Sequence, residues 1–292
     1  MQTIKNEFLE VIIDELGAQL MSIKDNSGTE YLWQGDPKYW KDRAINIFPF
    51  VARLTEGKYK LFGKTYEMNI HGFARNLVYK VDKLSDSEIN FTITQTAETL
   101  KAYPYRFDFT VNYRLDGNKL VNTYIVKNND TKTMYFGLGG HPGFNVPFKE
   151  GSVFEDYYLE FNGESKPLRI NFSEDCFVLE ALTPYELKNG NRIPLNHNLF
   201  DDDAIVLKNM PKSVSLKSDK ADREVKVTYP NMDYIGFWHA PKTDSPYVCI
   251  EPWSSLPSRK GIIEEFSTKP DLISLETNKI YENSFTVEIL GV

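Results

Sequence analysis

The sequence predicts an all-β fold, a large antiparallel β-sandwich. Three observations support this: two-residue hydrophobic alternation recurs along the chain, tight-turn residues fall between the alternating runs, and no long amphipathic helix stands out. Ile89, Phe91 and Ile93 alternate with Asn90, Thr92 and Thr94, and Phe107, Phe109, Val111, Tyr113 and Leu115 alternate with Asp108, Thr110, Asn112 and Arg114. The pattern returns at Val225, Val227 and Tyr229, and at Phe285, Val287 and Ile289. Successive side chains of a strand point to opposite faces, so each run has one buried and one polar face, as stacked sheets about 10 Å apart require. Between the runs lie Asn26-Ser27-Gly28, Phe62-Gly63-Lys64 and Asp116-Gly117-Asn118, where Gly or Asn can take the positive φ of a hairpin. Short helices are expected only over Pro37 to Arg43 and Gly261 to Phe266.

The chain has 292 residues, of which 41% are hydrophobic and 26% charged, with 17 Tyr and 19 Phe that favour strands over helices. It has no repeat of fixed period, no low-complexity tract and no long Pro/Gly/Ser linker, so residues 1–292 are expected to form one sandwich domain. The net charge of −7, a pI near 5.3 and the lack of a basic cluster interleaved with aromatics argue against a nucleic-acid partner. Glu7, Glu10, Asp14 and Glu15 interrupt the N-terminal apolar residues, so neither a signal peptide nor a membrane span is expected, which points to the cytoplasm. Cys176 and Cys249 are too few for a disulfide framework or a cysteine-rich zinc site and read as reduced, structural residues.

Two of the four histidines have unusual local settings. His141 lies in Gly139-Gly140-His141-Pro142-Gly143-Phe144, directly after the apolar run Met134 to Leu138, and this reads as a strand ending in a glycine-rich bend. Pro142 disfavours the α region for His141 and leaves it extended. Glu251 follows the buried-strand pattern Tyr247-Val248-Cys249-Ile250 and precedes Pro252. Desolvation at such a position raises a carboxylate's pKa and makes it a better base near neutral pH. A satisfied turn histidine and a salt-bridged or solvent-facing glutamate fit the local sequence as well. Arg53 follows an apolar stretch and can present a fork of donors, while His71 and Arg75 sit together in His71-Gly72-Phe73-Ala74-Arg75. Asp201-Asp202-Asp203 lacks the ligand spacing of a calcium loop. There is no P-loop, no dinucleotide glycine fingerprint, no His-Glu-x-x-His zinc site and no Gly-x-Ser-x-Gly elbow, which leaves acid–base chemistry without cofactor or metal.

Taken in order, FPFVARL, HGFAR, GGHPGF and CIEPW resemble the aldose 1-epimerase (galactose mutarotase) family, and within it the LacX-like branch, over almost the whole chain. The resemblance implies a β-supersandwich and a small-molecule sugar substrate. It implies His141 as general acid and Glu251 as general base, with Arg53 and His71 as substrate-binding residues. The family's substrate-binding Asp precedes an aliphatic run, here Ala204 to Leu207, and so falls on Asp203 or on one of its two neighbours. HGFAR also resembles relatives acting on hexose 6-phosphates, in which Arg75 would hold the phosphate; a salt-bridged framework arginine is the other reading of Arg75. Anomer exchange needs a proton delivered to the ring oxygen while another leaves the C1 hydroxyl, and an acid–base pair supplies both. Two other classes remain open: a carbohydrate-binding module with no activity, and a glycosidase using Glu251 with Asp203.

Overall fold

The computed structural model describes residues 1–291. The expected antiparallel sandwich is present. Nine strands form one sheet, in the order Arg192–Pro194, Tyr157–Phe161, Ser213–Ser218, Glu224–Thr228, Ile280–Leu290, Lys119–Asn128, Phe107–Asp116, Glu88–Thr94 and Lys80–Lys83. All four alternating runs read from sequence fall in this sheet, and burial alternates along strands such as Lys119–Asn128, where Leu120, Asn122, Tyr124, Val126 and Asn128 are buried and the residues between them are not. Gly63 (φ 77°) and Gly117 (φ 59°) take the positive φ of the hairpins that follow Lys58–Leu61 and Phe107–Asp116.

The second sheet carries the candidate site. Its seven strands are β1 (Ala44–Ile47), β2 (Gly139–Asn145), β3 (Leu168–Phe172), β4 (Val178–Pro184), β5 (Ile205–Lys208), β6 (Tyr234–Trp238) and β7 (Tyr247–Trp253), arranged in the order β4-β3-β5-β6-β7-β2-β1. β1, β2 and β7 are buried along nearly their whole length because both of their faces are covered. On one face Val248, Ile250, Phe144, Phe237 and Leu207 join the core against the nine-stranded sheet. Ring contacts cross between the layers at Phe48–Phe109 (4.4 Å, interplanar 10°) and Phe161–Phe237 (5.9 Å). Gly140 lets the layers approach: a Cβ there would lie 2.7 Å from the Phe285 ring.

GGHPGF is not a bend at a strand end. β2 runs through Gly139 to Asn145, and β7 likewise continues through Glu251, Pro252 and Trp253. Proline is rare inside a sheet because it lacks a ladder donor. Here the two prolines share one interruption. The β2–β7 ladder pairs Gly139 with Trp253 and Gly143 with Cys249, with no assigned pairs between them. Leu138 and Ser254 exchange bonds across this seam and Gly143 donates to Arg43 on the other side, so by alternation the nitrogens of Pro142 and Pro252 both face the seam. The glycines keep the strand extended rather than turning it.

The two expected helices are also absent. Around Pro37 to Arg43 a single turn forms, with the Tyr39 and Trp40 N–H groups both donating to the Asp36 carbonyl, and the Trp40 carbonyl is then taken by the Trp33 indole. Gly261 to Phe266 is held along the Lys58–Leu61 strand by Lys60 N–H to Glu264 O and Phe266 N–H to Lys60 O. Among the described residues the one α-helix is Ala97–Ala102, capped by Thr96, and no helix is long and apolar enough to cross a membrane.

A buried polar cluster ties the layers together beneath β2. Asn46 (1% exposed) donates to the Gly17 and Ala18 carbonyls, and the Tyr124 hydroxyl lies 2.9 Å from Asn46 Oδ1 and 3.0 Å from the Gly139 carbonyl. Tyr124→Phe removes the hydroxyl that bridges these two acceptors, at a cost of about 1–3 kcal/mol for a lost buried hydrogen bond. The urea midpoint should fall with an unchanged denaturant slope; an unchanged midpoint would show the cluster to be dispensable.

Candidate active site

A cavity of about 430 Å³ opens on the outer face of the seven-stranded sheet, and Arg53, His71, Arg75, His141, Asp203 and Glu251 all line it. Register explains the central pair. With Gly139 opposite Trp253 and Gly143 opposite Cys249, His141 stands directly across from Glu251, and alternation turns both toward the cavity. Such a pair lies close across an antiparallel seam. His141 Nε2 is 3.3 Å from Glu251 Oε2. On its other side Glu251 pairs with Gly236, where a Cβ would be 3.4 Å from that of Glu251, so the glycine keeps the flank of the carboxylate uncrowded.

Both members are buried, His141 at 8% and Glu251 at 1% exposure, and His141 Nδ1 and Glu251 Oε2 have no hydrogen-bond partner. Burial disfavours the charged form of each. It lowers His141 to about 3, with Arg75 adding to the effect, and pushes Glu251 well above the usual carboxylate range, with the charge of Asp203 contributing. Trp40 stacks on the His141 ring (4.8 Å, 29°), and Trp238 meets it edge-on (5.6 Å, 82°). His71 approaches from a third side (5.5 Å, 77°).

His71 is fixed by a reciprocal bond: its N–H donates to the Ala52 carbonyl (3.0 Å), and the Ala52 N–H donates to its Nδ1 (3.3 Å). A neutral His71 therefore carries its proton on Nε2. Burial depresses its pKa strongly, with His141, Arg75 and Arg53 adding to the shift. The next residue must be glycine: Gly72 has φ 74°, and a Cβ would sit 2.2 Å from the Phe48 carbonyl oxygen, which accepts from Phe73 and Ala74. FPFVARL and HGFAR are thus a single interlocked wall.

Arg75 ion-pairs with Asp42, both largely buried, whereas Arg53 is exposed and makes no ion pair among the described residues. Of the three aspartates only Asp203 lines the cavity. Its Oδ1 accepts from the Ala204 N–H (2.8 Å) and its Oδ2 from the Cys176 thiol (2.9 Å). Cys176 therefore belongs to the cavity wall rather than to the core, and burial with the Asp203 carboxylate pushes its thiol up to about 12. Trp40, Trp238, Trp253, Asp42 and Cys176 were not among the candidates read from sequence. Trp253 is the last residue of CIEPW and lies within that motif; Trp40 lies in a turn with no recognisable pattern. His197 and His239 pack on each other away from the pair, at 3.2 Å.

Glu251 sets one pH dependence of stability, opposite in sign to that of the depressed histidines His71 and His141. Its folded pKa is raised, so relative to the unfolded chain its contribution is fully present below about pH 4.5 and is lost as pH rises toward the folded value. Glu251→Gln should therefore gain stability on the wild type, by up to about 1.4 kcal/mol per pH unit, as pH rises above 4.5. Urea unfolding from pH 5 to 8 measures this, and a difference independent of pH would contradict the buried, protonated carboxyl.

The sequence matches the profile of the aldose 1-epimerase family over residues 1–287. It is 34% identical to the chromosomal LacX protein of Lactococcus lactis subsp. lactis, over 99% of each chain. Among solved structures it is similar to a galactose mutarotase related enzyme from Lactobacillus acidophilus (TM-score 0.92, 34% identity, 99% of this chain and 96% of that one). It is also similar to a galactose mutarotase-like protein from Lactobacillus casei (TM-score 0.92, 32% identity, 99% of each).

Proposed function

We propose that this chain, which belongs to the aldose 1-epimerase family, opens and recloses the ring of a free aldose and so interconverts its α and β anomers. The observation that carries the reading is the buried His141–Glu251 pair, 3.3 Å apart in the wall of a sugar-sized cavity. Ring opening needs a proton placed on the ring oxygen and one removed from the C1 hydroxyl. A pair holding one proton between its members performs both without net charge change. Burial alone puts that proton on Glu251. Sugar hydroxyls and the adjacent carboxylate supply what an imidazolium needs, so arrival of the sugar favours the proton on His141.

His141 then donates to the ring oxygen while Glu251 accepts from the C1 hydroxyl. Rotation about C1–C2 presents the other face of the aldehyde, and the two groups, their protonation exchanged, close the ring. Arg53, the Nε2–H of His71 and the carboxylate of Asp203 bind the remaining hydroxyls, and Trp40 and Trp238 give the ring an apolar wall.

A free sugar is favoured over a hexose 6-phosphate. Arg75 is already neutralised by Asp42, and the cavity holds three carboxyl groups, Asp42, Asp203 and Glu251, so a phosphate dianion would meet only Arg53 as an unpaired cation. A purely binding role would not call for a buried acid–base pair.

The test is NMR exchange or polarimetry on fresh anomers of free hexoses and hexose 6-phosphates, with sugar binding measured alongside. His141→Ala and Glu251→Gln should each slow exchange by about 10²–10⁴-fold while changing binding much less, and free hexoses should be the better substrates. Exchange at wild-type rates in either variant would refute the roles. Binding without exchange in the wild type would favour the binding protein.

A further inference from the structure

We propose that His141, Cys249 and Glu251 form a second kind of site, one for a thiophilic divalent cation such as zinc, and that its occupancy shuts down the sugar chemistry. One nitrogen, one sulfur and one carboxylate oxygen of these residues all lie within 4.8 Å of one another. Imidazole, thiolate and carboxylate together are a donor set that zinc accepts, with three protein ligands and a fourth position left open; as the ion binds, the thiol proton of Cys249 and the carboxyl proton of Glu251 are released to solvent.

The strand geometry supplies this set. Cys249 is two residues before Glu251 on β7 and so points to the same face, and it is the diagonal neighbour of His141 across the seam. The residue directly opposite Cys249 is Gly143, which puts no side chain in the way. Two ligands each about 2.0–2.1 Å from a tetrahedral zinc stand about 3.3–3.4 Å apart. His141 Nε2 and Glu251 Oε2 already stand 3.3 Å apart.

A second observation points to a ligand. Glu251 is 1% exposed, yet its Oε2 has no hydrogen-bond partner and faces the cavity. A buried carboxyl oxygen with no hydrogen-bond partner is unfavourable in an empty site, and a cation that displaces the carboxyl proton relieves it. A cation entering from the cavity meets His141 and Glu251 first and Cys249, fully buried behind them, last. His141 Nδ1 has no acceptor to brace it, the support that ligating histidines in resident sites usually have, so the site is one of moderate affinity and reversible occupancy. A bound ion would occupy both proton-transfer groups at once, which makes zinc compete with sugar. The inhibition, though not the binding, rests on the epimerase reading.

Cobalt(II) reads the site independently of activity. Titrating the wild-type protein with Co²⁺ should produce a near-ultraviolet thiolate-to-cobalt charge-transfer band that Zn²⁺ abolishes. The band should be missing from Cys249→Ser and retained in Cys176→Ser. In parallel, Zn²⁺ should slow anomer exchange of glucose, reversibly on adding a chelator, with an apparent inhibition constant about tenfold or more higher in Cys249→Ser. Should Cys249→Ser fail to fold, Glu251→Gln serves instead: it keeps the sulfur band and binds Zn²⁺ about tenfold or more weakly. No band, a band lost in Cys176→Ser instead, or equal zinc affinity in the variant and wild type would overturn the site. A band in a protein that does not exchange anomers would support the site while removing the epimerase reading.

Discussion

The site depends on one constraint, the register of β2 against β7. Two strands far apart in sequence are aligned so that Gly139 meets Trp253 and Gly143 meets Cys249, and His141 is thereby set across from Glu251. A slip of one residue would turn one of them into the core, because side chains alternate between faces. The same row continues across the sheet, with Ile45 beyond His141 and Gly236 then Val206 beyond Glu251. Pro142 and Pro252 thin the ladder only at the pairs flanking the acid–base pair. The strands remain aligned by the pairs outside that gap.

The electrostatics follow from the packing. One face of β2 and β7 is sealed by the nine-stranded sheet, and the other is roofed by Trp40, Trp238 and the interlocked Phe48 to Arg75 wall. A histidine and a glutamate held together in so dry a place oppose charge separately, yet together need only one proton. The positions of Arg75, Asp42, Asp203 and Cys176 then decide what else is charged around a bound sugar.

The sequence was most legible where local rules decide structure. The alternation at Ile89, Phe107, Val225 and Phe285 reports the polar face of the nine-stranded sheet directly. It is silent in β2 and β7, which are covered on both faces, so GGHPGF read as a bend although it is the middle of a strand. All six residues singled out from motifs line one cavity, but only the resemblance joined them; the pairing of residue 141 with residue 251 is a property of the ladder and has no local signature. Trp40 and Cys176 were out of reach for the same reason, since each owes its place to neighbours from other segments, Trp40 to the His141 ring and Cys176 to Asp203.

The central claim is that His141 and Glu251 act as one proton-sharing unit. Kinetics of the double variant His141→Ala/Glu251→Gln, compared with each single variant, test it most directly. Residues that work as a unit lose their function together, so the double variant should be about as slow as the slower single variant. Rate losses that multiply would contradict the shared proton and assign the two residues independent roles.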